Sequence, residues 1–125
     1  MGAQRSTHSV VQDLPERERP LSEQFRVVAL QFADADAAAS MYEEAKGTTF
    51  AKLVTAIAAT QPNISEARAE RMVKASDEWS EYLEAMRVAR AKATKLKLQL
   101  DYIRMKFSEW QSREANSRHE ARLSR

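Results

Sequence analysis

The chain has 125 residues with 20 Lys+Arg, 18 Asp+Glu, two His and no Cys. That size fits one modest domain, and 43% hydrophobic with 30% charged residues lies in the globular range. Two Gly and three Pro exclude collagen-like and linker-like sequences and disfavour a turn-rich β-sandwich, and the lack of Cys removes disulfides, thiol nucleophiles and thiolate metal sites.

Residues 1–20 carry Ser, Thr, Gln, Arg and Glu, interrupted by Pro15 and Pro20, with Val10, Val11 and Leu14 as the bulky apolar residues after Met1. They read as a mobile tail able to order on a partner. Met1 to Ser6 matches the short N-myristoylation pattern, which has meaning in a eukaryotic cytosol only. A signal peptide is not expected, since no apolar run follows Met1.

A first helical segment is expected over 21–60. Ser22 is a candidate cap, and Phe25, Val28, Phe32, Ala35, Ala39 and Tyr42 recur at steps of three and four. A short strand over Phe25–Phe32 competes, because Val27 and Val28 suit it, but it has no visible strand partner. Gly47 is a soft point where the helix bends or breaks. Gln61-Pro62-Asn63 is the clearest interruption, and Asn63 with Glu66 three residues on resembles a capping box.

Residues 63–125 contain neither Gly nor Pro. A long helix is expected over 61–118, with 119–125 frayed. Its apolar seam runs Met72, Ala75, Trp79, Tyr82, Met86, Ala89, Ala93, Leu96, Leu100, Ile103, Phe107 and Trp110, an a/d heptad pattern. Unbroken, such a helix would extend roughly 80 Å, although Ser76-Asp77-Glu78 offers a place to recap and hinge. The fold class expected is therefore all-α, an antiparallel helical hairpin with one long heptad-patterned helix. Ala35, Ala37, Ala38 and Ala39 would face Ala85, Ala89, Ala91 and Ala93, small residues that permit close approach. Leu98, Tyr102 and Met105 form a second apolar stripe that two helices cannot bury, so a helical homo-oligomer is expected. Trp79, Tyr82, Leu98, Tyr102, Met105, Phe107 and Trp110 are the candidate oligomer or partner contacts, the seam aromatics Trp79, Tyr82, Phe107 and Trp110 reading as core or interface.

Charge is segregated. Residues 1–86 hold 9 basic and 14 acidic side chains, whereas 87–125 hold 11 and 4. Arg90, Lys97 and Arg104 fall at successive e positions, and Lys92, Lys106 and Arg113 at g, with Arg87 and Lys95 on the outer face. Spaced about 10 Å apart along the axis, the e residues form a ladder suited to a phosphate backbone, with Tyr102 near it as a stacking surface. The alternative is that e and g cations pair with acidic residues of a neighbouring helix, for which Asp34, Asp36, Glu43 and Glu44 are available.

No enzyme chemistry stands out. His8 and His119 lack partners at metal-ligand or general-base spacing, the acidic pairs diverge on a helix, and the two glycines build no phosphate loop. The expectation is a protein without catalytic residues, metal or cofactor, and without a membrane span.

From Phe25 to Arg122, ending in Tyr102-Ile103-Arg104-Met105-Lys106-Phe107-Ser108-Glu109-Trp110, the chain resembles a broad set of small helical phage and prophage proteins. These are often encoded near recombination functions. Trp79-Ser80-Glu81-Tyr82 followed by Leu96-Lys97-Leu98-Gln99-Leu100-Asp101-Tyr102 is similar to UvsY-type recombination mediators, although the Trp lies nearer the run here. The second resemblance covers about Trp79 to Tyr102. It implies an oligomer that binds single-stranded DNA and helps load a recombinase in the bacterial host cytoplasm, with Arg90, Lys95, Lys97 and Arg104 in the contacting helix. A purely protein-binding module, a scaffold or an inhibitor of a host protein, is the alternative from another class.

Overall fold

The computed structural model describes residues 20–124; the N-terminal tail and its apolar residues lie outside them. Three helices account for most of the described chain: α1 (Leu21–Thr60), α2 (Glu66–Lys74) and α3 (Asp77–Leu123). No strand occurs among the described residues, so Phe25–Phe32 is helical. No described helix is long and apolar enough to cross a membrane.

The helix ends follow local hydrogen bonding. α1 starts at Leu21 rather than being capped by Ser22, because the Pro20 carbonyl accepts from Glu23 N and Gln24 N, both at 3.0 Å. Gly47 does not interrupt α1. The extra backbone entropy a glycine loses in a helix costs about 1 kcal/mol relative to Ala, which is small beside the packing of a 40-residue helix. After Thr60, Ile64 N donates to Gln61 O at 3.0 Å, closing a turn with Pro62 in the position that suits its fixed φ.

The expected Asn63 capping box does not form. Ser65 is the cap, extended at φ −72° and ψ 152°, with its Oγ accepting from Arg68 N. The single helix expected over 61–118 is likewise divided. Ser76 Oγ donates to Val73 O at 2.6 Å and accepts from Trp79 N at 3.2 Å, closing α2 and opening α3 with one hydroxyl. α3 then continues to Leu123, past the point where fraying was expected.

The chain forms two compact units, Met1–Phe32 with Lys95–Arg125, and Ala33–Thr94. In the first, Val28, Leu100 and Ile103 form a buried cluster against which Phe25, Ala29, Phe32 and Leu96 pack. In the second, Phe50 meets Trp79, Tyr42 meets Tyr82, and Asp36 and Glu43 both reach Arg90. Rising numbers in α1 meet falling numbers in α3, so these segments run antiparallel. Close approach there uses Ala35, Ala39 and Ala93, all buried, whereas Ala37, Ala38 and Ala91 are exposed.

Trp79 is central to this second unit. Only 8% of it is exposed, its ring meets Phe50 edge-on with centroids 5.0 Å apart, and it stacks on Tyr82 at 5.6 Å. Tyr82 Oη donates to the Tyr42 carbonyl. Trp79 and Tyr82, whose seam positions predict either core packing or an interface, are thus used within the chain's own packing.

Candidate nucleic-acid interface

The basic side chains of α3 differ sharply in how they are held. Arg90 is clamped by two carboxylates of α1. Its Nε and Nη2 donate to Glu43 Oε2 and Oε1 at 2.9 and 2.6 Å, and its Nη1 donates to Asp36 Oδ1 at 2.8 Å. Seven residues separate the two acids, so the planar fork spans two turns of α1 in a way an ammonium could not. The hydrogen bonds to Glu43 and Asp36 raise the Arg90 pKa further, and the same contact holds the Glu43 carboxyl below its ordinary range. At this position the expected alternative holds: an e cation pairs with acidic residues of the neighbouring helix.

Arg104 is also engaged. Its guanidinium lies 5.3 Å from the centre of the Phe25 ring, and Nη1 is 3.5 Å from Asp101 Oδ1. Arg87 pairs with Glu84 on its own helix, which lowers the Glu84 pKa. Two of the three ladder residues therefore already have partners within the chain. Lys97 has no ion pair among the described residues, and the same is true of Lys92 and Lys95.

A different set shares one face within the first unit. Lys95, Tyr102, Lys106 and Arg113 follow at steps of seven, four and seven, which keeps them on one side of α3 along about 27 Å at 1.5 Å per residue. Tyr102 is half exposed, and the Lys106 ammonium sits 5.4 Å from its ring centre. Arg113 lies 3.8 Å from Glu109, a loose pair with the arginine side chain 80% exposed. An open aromatic ring between cations offers a stacking surface and charge for phosphates together.

Beside this stripe lie Leu98 and Met105, 63% and 52% exposed, on the side away from the packed residues Leu96, Leu100 and Ile103. Phe107 and Trp110 continue the apolar seam but are 44% and 49% exposed, stacked on each other at 5.9 Å. The seam thus keeps its sequence spacing beyond the point where α1 covers it.

Sorting the cations by heptad letter separated Lys95 from Lys106 and Arg113 and so hid the stripe they make with Tyr102. Leu21, Ser22 and Phe25 also line a groove with Ile103, Arg104 and Phe107. Its sequence signal was the shared seam spacing of Phe25 and Phe107. No group of three or more potential metal-ligating residues occurs among the described residues. No protein-family model matches the chain, and no curated protein or solved structure is significantly similar to it.

Proposed function

We propose that the chain is a non-enzymatic, oligomeric accessory protein of phage DNA recombination or replication that binds single-stranded DNA through α3. The observation that carries this reading is Tyr102, a half-exposed ring under the Lys106 ammonium and in line with Lys95 and Arg113. Bases stack on such a ring while the flanking cations follow the phosphates, a mode that tolerates any sequence. Relative to the ladder expected from the heptad, contact shifts away from Arg90 and Arg104, which have partners, towards this stripe. The resemblance of Trp79 to Tyr102 to UvsY-type mediators supplies the biological setting and a recombinase as protein partner.

The test is single-stranded oligonucleotide binding, read by fluorescence anisotropy together with oligomer mass. Reversing Lys95, Lys106 and Arg113 to Glu should abolish binding with helix content intact. Tyr102→Ala should weaken it about tenfold, given the roughly 1–3 kcal/mol typical of one stacked base. Unchanged affinity in both variants would remove the stripe from the mechanism.

A second reading, a protein-interaction module without nucleic-acid binding, is favoured by Leu98 and Met105. Two large apolar side chains beside Tyr102 suit a helix–helix contact with another chain. Loss of oligomer mass in Leu98→Asp/Met105→Asp, with no DNA binding by the unaltered protein, would favour this reading over the first.

A further inference from the structure

The outward face of α1 within the second unit carries a pattern that neither the α3 stripe nor the chain's own packing uses. Asp34, Ala38, Met41, Ala45, Thr48 and Lys52 follow at alternating steps of four and three, and all six are exposed. This is the spacing of an a/d seam, which holds them on one side of the helix along about 27 Å at 1.5 Å per residue. Met41 is the bulky apolar member and is 71% exposed. Ala38, Met41 and Ala45 also line a shallow groove of about 470 Å³ together with Tyr42 and Tyr82. Asp34 and Lys52, at the two ends of the seam, have no ion pair among the described residues.

We propose that this face is the contact between two copies of the chain, paired antiparallel about a two-fold axis level with residue 43. In that arrangement the seam is its own complement. Met41 meets Ala45 of the second copy, Ala38 meets Thr48, and Asp34 meets Lys52. Each pair occurs twice, because a two-fold contact uses the same patch on both copies. Parallel pairing would set Asp34 against Asp34 and Lys52 against Lys52. Sliding the antiparallel pair by one heptad sets Asp34 against Ala45 or Lys52 against Met41, and the charge match is lost either way.

Packing agrees with charge. Ala38, Ala45 and Thr48 are small enough for two helices to approach closely, and Met41 is the flexible side chain that fills the space left at the groove. One like-charge contact remains: Glu44 flanks the seam beside the axis and comes near its own copy. The proposal deepens the oligomeric reading given above, on which it rests, and takes no residue from the α3 stripe.

Sedimentation equilibrium of the full chain is the test. The unaltered protein should be a dimer, and Asp34→Lys and Lys52→Asp should each lose dimer mass with helix content intact. Combining them as Asp34→Lys/Lys52→Asp recreates both pairs and should restore the dimer, which general damage to the fold would not allow. Glu44→Gln should tighten the dimer by removing the repulsion at the axis. The chain has no cysteine, so Ala38→Cys mixed with Thr48→Cys reads the register: a disulfide should join the two variants in preference to either with itself. A monomer at every concentration would overturn the proposal, and oligonucleotide binding by that monomer would leave the α3 reading standing. The proposal falls equally if the dimer survives both single exchanges and is lost in Leu98→Asp/Met105→Asp, which would put the interface on α3.

Discussion

Arg90 shows how one side chain decides between two functions that its position alone leaves open. Bound to Glu43 through two nitrogens and to Asp36 through the third, it has no nitrogen left that is not already engaged or shadowed by a carboxylate. Replacing it with Lys keeps the charge but not the fork, so one acid should be released and the thermal midpoint should fall; Arg90→Ala should lower it further by leaving both acids unpaired. The sign of the pH effect follows from Glu43. Its folded pKa lies below the value of about 4.5 for an unperturbed glutamate, mainly because Arg90 donates to it. The protonated form is therefore disfavoured in the folded state, and the contact stabilises fully above that value. The stabilisation disappears as pH falls through the depressed folded pKa. Thermal midpoints measured from neutral pH down to about pH 3 should drop less steeply in Glu43→Gln than in the unaltered chain. Parallel curves would mean that the ion pair adds nothing to stability, as many exposed pairs do not. Ala39 and Ala93 set a steric limit nearby. Both have zero exposure, so Ala39→Leu should cost about 1–3 kcal/mol in denaturant unfolding by forcing the helices apart.

At the level of elements, the helices begin and end where individual hydrogen bonds dictate, and hydrophobic spacing is silent about that. Gly47 lies inside α1, and a Cβ built on it meets nothing within 4 Å. Gly47→Ala should therefore stabilise the protein by about 0.5–1 kcal/mol, since it lowers the entropy of the unfolded chain without a clash. Chemical denaturation with an unchanged slope would read this directly, and a loss of stability would show that α1 needs a soft point there. Ser76 works in the opposite sense. Ser76→Ala removes the acceptor for Trp79 N and the donor to Val73 O, and should cost about 1 kcal/mol. The all-helical class and the Gln61–Asn63 break were legible because periodicity and Pro62 act locally. The division at Ser76 was legible only as an option, since Ser-Asp-Glu can cap a helix or lie within one. The cap at Ser65 instead of Asn63 depends on the turn that Pro62 closes, a three-residue geometry that a capping pattern does not encode. The partner of Arg90 was legible as a set of four acids, and packing of Ala35 and Ala39 against α3 selected Asp36 and Glu43 from among them.

Over the whole molecule, charge is divided between the two compact units more sharply than the net +2 suggests. The described part of the first carries eight basic and five acidic groups, and the second carries eight and ten. In the second unit Arg90 is neutralised by Asp36 and Glu43 of α1, whereas in the first Lys95, Lys106 and Arg113 lie along an exposed stripe with Tyr102 between them. A polyanion should accordingly be drawn to the first unit, and salt gives a quantitative measure of how it is held. Each phosphate neutralised on a single strand contributes about −0.7 to the slope of log affinity against log salt. Three stripe cations therefore correspond to a slope of about −2. Titrations from low to physiological salt should give that value for the unaltered chain and for Arg90→Ala, whose cation is already spent on Asp36 and Glu43. Lys95→Ala and Lys106→Ala, each made singly, should bring the slope about 0.7 closer to zero. A slope much steeper than expected, which Arg90→Ala then reduces, would mean that the polyanion displaces the acids from Arg90 and binds by opening the α1–α3 contact. A flat slope with the unaltered protein would leave the exposed stripe to a protein partner.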